Sequence, residues 1–221
     1  DESQVILSHS PMRKYARTLN KDGHSIVTVG GPHCPAVARS YGFHRVLDIE
    51  QLGQARHGAT PFARYRQLPP LSTHELDTAS LPVSAVLVMS DTLELGRDLQ
   101  LMVDIIADEG QRRTEQASIV YANPDLTFPN EFDSPRLAGG VLRIALDAVL
   151  KEVSNGKSYT AIQMGKPHQI NFDHAEQALH HQIEVHSHFR GQGLNTIYMI
   201  GDNPKSDVRG ANARGRPWHS I

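Results

Sequence analysis

Residues 197–212 read IYMIGDNPKSDVRGAN, and the fold turns on them. A short, mostly apolar run from Ile197 to Ile200 stops at Gly201. Two aspartates follow, Asp202 and Asp207, with Pro204 between them. An apolar run that ends at a glycine and passes into a helix-starting pattern reads as a buried strand feeding a helix. In a parallel sheet the C-terminal strand ends face the ligand crevice, so Asp202 is expected to point into it. Asn203, Pro204 and Ser206 make a tight turn that can bring Asp207 back beside Asp202. Two hard oxygen donors at such a place suit Mg²⁺, which keeps several waters and takes one or two carboxylates plus phosphate oxygens. Helix capping by the same two acids, favoured by the positive helix end, accounts equally well for the spacing.

A second stretch, IQMGKPHQI at residues 162–170, sets Lys166 after another strand. Gly165 precedes the lysine and Pro167 follows, a residue suited to the first turn of a helix. A lysine there can reach the crevice and neutralise a phosphoryl group or an aspartate nucleophile. Taken alone, G-K-P is the pattern of an exposed loop. The order carries the information: strand–G–K–P–helix, then strand–G–D–N–x–x–x–D–helix, read as two equivalent strand ends one β–α unit apart.

Working outward, the chain alternates strands and helices. Strands are expected at residues 4–8, 25–30, 45–49, 83–90, 117–122, 159–164 and 195–200. Helices are expected at about 11–19, 35–41, from Leu95 to the glycine at position 110, after the glycines of LAGGVLRIALDAVLKEV (137–153), from Pro167 onward, and from about Pro204. Such alternation predicts parallel sheets covered by helices. Residues 53–82, with four prolines, read as a long loop of the functional or mobile kind. The opening and closing runs, QVILS and RPWHSI, both read as cut short, which suggests flanking sequence lost by truncation, processing or splicing.

Composition narrows the function classes. The chain has 221 residues, 39% hydrophobic and 21% charged, with a formal net charge of -2. That is an ordinary globular composition with no field inviting nucleic acid or anionic membrane. No run is long and apolar enough to span a membrane, and the start lacks signal-peptide regions. The single cysteine, Cys34, excludes an internal disulfide and fits a reducing, intracellular setting. His168, His174, His180, His181, His186 and His188 crowd the long helix and its end, but none lies four from another, as a helical zinc pair requires. They read as a solvated face.

MGKPHQINFDHA and IYMIGDNPKSDVRGAN resemble motifs III and IV of the haloacid dehalogenase (HAD) superfamily phosphatases. QVILSHSPMRKYA, SIVTVGG and VARSYGFHRVLDI resemble the region after motif II in the NagD-type subfamily IIA, which carries a large C2 cap. VYANPDLTFPN followed by LAGGVLRIALDAV is similar to that cap's A-T-N-P-D loop and glycine-led helix. VILSHSPM is most similar to the cat-eye-syndrome critical region HAD-like hydrolases. The resemblance implies an α/β protein: an incomplete Rossmann-like HAD core at residues 1–24 and 159–221, with an inserted α/β C2-type cap at 25–158.

It also implies a Mg²⁺-dependent phosphatase acting on a small phosphorylated substrate through an aspartyl-phosphate. Asp202 would be the Mg²⁺ ligand and Asp207 its companion, as ligand or orienting group. Lys166 would be the catalytic lysine holding nucleophile and phosphoryl group. Asn203, Asn123 and Asp125 would bind substrate, the last two on the cap loop over the site, with Phe128 and Pro129 shaping the pocket. Residues 123–125 read equally as an Asx turn. The cap would close to exclude water and offers a surface for a homodimer, with no nucleic-acid partner. The relatives implied are cytoplasmic or mitochondrial.

The family's nucleophile pattern, apolar–D–x–D–G, is absent. The nearest lookalike, VLVMSDTLELG, offers Asp91 alone, inside the expected cap, and it reads as a strand-end turn residue. Motif II is absent too, although Ser8 is a tempting substitute. This chain is therefore expected to hold half a site and to lack activity alone, since covalent catalysis needs its nucleophile. A degenerate HAD fold acting as a non-catalytic binding or scaffold protein is the alternative. A dinucleotide-binding reading of SIVTVGGPHCPAVARSYGFHRVLD, with Asp48 eighteen residues after Gly30, fails because Pro32, His33, Cys34 and Pro35 stand where the glycine fingerprint belongs.

Overall fold

The computed structural model describes residues 4–56, 58–66, 69–107, 116–154, 159–185 and 193–221. Contacts divide the chain into two units, Asp1–Pro11 with Gln163–Ile221, and Met12–Ile162. Residues 12–24 thus go with the middle of the chain and not with its C-terminal part. Met12, Ala16 and Leu19 are buried, and the Ser84 hydroxyl donates to the Leu19 carbonyl at 2.7 Å.

The larger unit is an α/β layer. Its strands are β1 (Ser25–Val29), β2 (Val46–Asp48), β3 (Val83–Val88) and β4 (Ser118–Tyr121). A two-stranded antiparallel ribbon follows, β5 (Thr127–Phe128) with β6 (Arg136–Leu137). Strand β7 (Thr160–Gln163) completes a sheet of order β2-β1-β3-β4-β7. The pairs β1–β2, β1–β3 and β3–β4 are parallel, with Ile26 opposite Val46 and Ala85 opposite Ser118. β1 and β3 are buried at every position, as central parallel strands covered on both faces must be.

The helices of this unit are α1 (Ala16–Leu19), entered through a 3₁₀ turn at Ser10–Tyr15, α2 (Cys34–Ser40), α3 (Ile49–Ala55), α4 (Thr73–Ser80), α5 (Leu95–Ala107) and α6 (Gly140–Val153). The core joins Leu101, Met102, Ile105 and Ile106 of α5 and Leu142, Leu146 and Leu150 of α6 to Val27, Val86 and Ile119 of the sheet. Each such side chain contributes about 1.5–3 kcal/mol by leaving water, before chain entropy is subtracted. The expected end of α5 at position 110 lies outside the described residues.

Part of the stretch expected to be a long loop, 53–82, is helical. α3 starts with a capping box in which Asp48 accepts from Glu50 N–H at 2.7 Å and the Gln51 side chain accepts from the Asp48 N–H at 2.9 Å. α4 starts with the same device between Ser72 and Glu75. These local bonds satisfy the N–H groups a helix start leaves open. Below α3 the Glu50 carboxylate is enclosed by Arg66 and Arg97, and Arg97 donates to Asp98 at 2.9 Å. Burial pushes the Asp48 and Asp98 carboxyls up.

The smaller unit contains α7 (Gln169–Val185), β8 (Ile197–Met199), a π-type turn at Pro204–Val208, α8 (Arg209–Arg214) and β9 (Trp218–Ser220). β8 and β9 are parallel, with Ile197 opposite Trp218. Phe172, Ile197, Ala211 and Trp218 form the core, Phe172 meeting Trp218 edge-on at 5.1 Å.

Two expectations about strands are corrected. QVILS is not a strand: Val5 and Leu7 are 63% and 51% exposed, and Leu7 turns back to Ser10 through bonds of 2.9 Å. The strands before Lys166 and before Asp202 are not neighbours in one sheet, because β7 lies beside β4 while β8 pairs with β9. The entry to β7 is held on the β4 side by Tyr159, whose hydroxyl meets that of Tyr121 at 2.9 Å and donates to Asp147 at 2.6 Å. Burial, then the bond to Asp147, pushes the Tyr159 phenol up to about 12, so it stays a neutral donor. No described helix is long and apolar enough to cross a membrane.

Candidate active site

The smaller unit builds its site from the exit of β8. Beyond Met199 the chain passes through Ile200 and Gly201, then Asp202 and Asn203, into the π-type turn. Asn203 starts that turn: its Oδ1 accepts from Lys205 N–H at 2.9 Å, and its carbonyl accepts from Asp207 N–H at 2.9 Å and Val208 N–H at 3.4 Å. The wide turn carries Asp207 back under the strand exit. A glycine is required there by packing. A Cβ on Gly201 would stand 2.4 Å from Asp207 Cγ and 2.7 Å from its Oδ2.

Asp207 is buried, with 6% of its side chain exposed, and its carboxylate is fully engaged. Oδ1 receives the Lys166 ammonium. Oδ2 accepts from Asn203 N–H at 3.3 Å and from the Ser206 hydroxyl at 3.5 Å. Lys166 stands on the turn before α7, where His168 N–H donates to the Gly165 carbonyl at 2.8 Å, and α7 begins two residues beyond Pro167, at Gln169. Gly165 N–H is held by Asn171 Oδ1 at 2.6 Å, and Asn171 Nδ2 donates to the Ser8 carbonyl at 3.0 Å. A cavity of about 280 Å³ opens beside Lys166, lined by Ile6, Leu7, Phe172, Met199 and Trp218 among others.

Lys166 and Asp207 are therefore brought together. Asp202 lies on the loop that wraps the Asp207 carboxylate, is exposed, and makes no side-chain hydrogen bond or ion pair among the described residues. Asn203 is exposed at the same loop. Among the described residues no group of three or more His, Cys, Asp or Glu side chains is placed to hold a metal. That includes His168, His174, His180 and His181, while His186 and His188 lie outside the described residues. Two carboxylates with an adjacent lysine suit a hard cation that keeps most of its waters, and do not suit a cage of protein ligands.

Asn123 and Asp125 belong to the other unit. They form an Asx turn in which Asn123 Oδ1 accepts from Asp125 N–H at 3.1 Å. Two roles were not visible in the sequence. Ser206 shares the Asp207 carboxylate, and Asn171 fixes the backbone before Lys166. A serine directly preceding an expected site aspartate was the one available hint.

Residues 163–221 match the HAD-hydrolase-like family. The chain is 30% identical, over 233 residues, to a cardiolipin synthase/mitochondrial hydrolase fusion protein of Schizosaccharomyces pombe, covering 100% of this chain and 37% of that protein. It is 28% identical over 252 residues to a mitochondrial hydrolase of Saccharomyces cerevisiae, covering 99% of this chain and 68% of the relative. A crystal structure from Cytophaga hutchinsonii, described as a possible sugar phosphatase of the HAD superfamily, shares the fold with a TM-score of 0.56 at 20% identity, over 95% of this chain and 58% of that one. The chain thus spans only part of the length of each. The segment that matches the HAD-hydrolase-like family model is the one that holds Lys166, Asp202 and Asp207.

Proposed function

We propose that this chain supplies the cation- and phosphate-holding half of a phosphatase that hydrolyses small phosphate esters. The observation that carries the reading is the Lys166–Asp207 pair set beneath the loop that bears the exposed, uncommitted Asp202. An exposed carboxylate next to a buried, hydrogen-bonded one fits Mg²⁺, with Asp202 as direct ligand and Asp207 orienting the site. When bound, magnesium supplies positive charge where negative charge develops on the phosphoryl oxygens.

The chain's own residues have definite tasks in this reading. Asp207 aims the Lys166 ammonium, whose side chain is 47% exposed and free to meet a phosphoryl oxygen. Asn203 commits its Oδ1 to the turn and keeps its Nδ2 as a donor to substrate. The sequence contains no D-x-D-G pattern, so the nucleophile comes from polypeptide beyond these residues, in keeping with the greater length of the relatives. That carboxylate attacks phosphorus, the ester P–O bond breaks, and the alcohol leaves with a proton from a second carboxylate. Water then hydrolyses the acyl phosphate to inorganic phosphate and the free carboxylate. The relatives' names support a mitochondrial setting.

The test is hydrolysis of p-nitrophenyl phosphate by the intact protein with magnesium. Lys166→Ala and Asp202→Ala are each expected to lower kcat by about 10²-fold or more. The 221-residue chain by itself is expected to show no turnover. Turnover by that chain, abolished in Asp202→Ala, overturns the division of the site. An intact protein that binds phosphate esters without hydrolysing them supports the non-catalytic reading instead.

A further inference from the structure

Asn171 lies buried in the first turn of α7, and no step of the proposed hydrolysis uses it. A polar side chain so placed must find partners for both ends of its amide. Asn171 finds them outside its own helix. Its Oδ1 accepts from the buried Gly165 N–H at 2.6 Å, and its Nδ2 donates to the Ser8 carbonyl, 163 positions away, at 3.0 Å. These partners fix which way the amide points, because an N–H can only donate and a carbonyl can only accept. Gly165 has a φ of 87°, a left-handed conformation that sets the direction in which Lys166 leaves the turn. The support behind Asn171 is rigid. The next residue, Phe172, is buried and meets Trp218 edge-on at 5.1 Å. A Cβ on Gly210 would run into the Phe172 ring and stand 3.3 Å from Pro167 Cα. The first turn of α7 is therefore clamped against α8 and β9, and Asn171 passes that rigidity to Gly165.

We propose that Asn171 is a positioning residue for phosphate-ester hydrolysis, fixing the backbone from which Lys166 extends. Lysine has a flexible four-carbon stem, so its ammonium is well placed only when both ends are held. Asp207 holds the ammonium, and Asn171 holds the root of the side chain through the Gly165 N–H. The effect on turnover rests on the phosphatase reading, in which that ammonium meets a phosphoryl oxygen. A displacement of about 1 Å at such a group can cost about 10²-fold in rate.

The experiment uses the intact protein, p-nitrophenyl phosphate with magnesium, and backbone amide exchange. Asn171→Leu keeps the size of the side chain and loses both bonds. Its kcat is expected to fall about tenfold or more with KM within about threefold of the parent. Exchange at Gly165 should speed up about tenfold or more, with that at Ile197, whose N–H donates to the Pro217 carbonyl, unchanged. Asn171→Asp keeps the acceptor for Gly165 and loses only the donor to Ser8, so kcat should return to within about threefold of the parent with Gly165 protected. In a Lys166→Ala background Asn171→Leu should change the residual kcat by less than about twofold, since nothing is left to position. The inference is overturned if Asn171→Leu leaves kcat as it was, or lowers it as much without Lys166 as with it. It is also overturned if Asn171→Asp is as impaired as Asn171→Leu. Should Asn171→Leu not fold, Asn171→Asp decides alone: a kcat more than about threefold below the parent's with Gly165 still protected overturns the inference, and a kcat within that range supports it. Should the parent protein not hydrolyse the probe, the phosphatase reading falls, and exchange at Gly165 then decides by itself whether Asn171 holds the Lys166 turn.

Discussion

Asp202 and Asp207 share one loop and one charge, yet differ in burial and partners, and their substitutions should separate. Asp207→Ala strips the acceptor from Lys166 and from the Asn203 N–H, which costs about 1–3 kcal/mol in a urea titration. Asp202→Ala removes an exposed group with no side-chain partner among the described residues, so its stability should stay within about 0.5 kcal/mol of the parent. Equal destabilisation by both would contradict the observed burial. Gly201→Ala forces a methyl against the Asp207 carboxyl and should cost about 1–3 kcal/mol while lowering activity through Lys166. At this scale strand-end glycines and spacing singled out Lys166, Asp202 and Asp207 as candidates, and the structure brings Lys166 and Asp207 together. The bond from Ser206 to the Asp207 carboxylate and the hold of Asn171 on the Gly165 N–H were not legible. Nothing in the sequence says which backbone N–H a side chain will meet far along the chain.

Elements were legible where periodicity is strong and local. β3 and α5 show an unbroken apolar run and a helical stripe, and both begin where expected, at Val83 and Leu95. α4 was hidden inside the proline-rich stretch and α3 runs into its start, although their D-x-x-Q and S-x-x-E capping boxes stand in the sequence at 48–51 and 72–75. QVILS has a strand composition but joins no sheet among the described residues, and composition cannot supply a partner. In the smaller unit, Glu176 ties three elements together. It accepts from Arg214 Nη2 at 2.8 Å and from the Trp218 indole N–H at 3.1 Å. The Arg214 bond first, then that of Trp218, holds its carboxyl below the ordinary value of 4.5. A depressed carboxyl adds stability that is fully present above pH 4.5 and is lost as pH falls through its lower folded value. Glu176→Gln should therefore be less stable than the parent at neutral pH, by about 1 kcal/mol at most given its exposure. The gap should shrink below pH 4.5 in paired denaturation curves, and a gap that persists at acid pH would show the effect is not ionic.

On the scale of the whole molecule the two units are unequal. The larger holds a core cluster running from Val27 to Leu150, whereas the described core of the smaller is Phe172, Ile197, Ala211 and Trp218 on a two-stranded parallel sheet. Parallel pairs are stable when both faces are covered, and two strands alone are marginal. Tyr198 and Ile200 are 62% and 76% exposed beside that sheet. The 221-residue chain should consequently unfold in two steps. Amides of 197–221 should exchange well before those of β1 and β3, and Trp218 fluorescence should report the earlier step. Coincident fluorescence and circular dichroism transitions would refute this.

The alternation of apolar runs with helical stripes was enough to establish an α/β protein with parallel strands, since periods of two and 3.6 residues are local properties of the chain. The two acids and the lysine were marked in the same way. Which sheet each strand joins, and that Lys166 is held by Asp207, came only from the three-dimensional structure. Strand partners and ion pairs depend on which surfaces meet after the chain has closed loops of tens of residues, and spacing along the chain does not encode those distances.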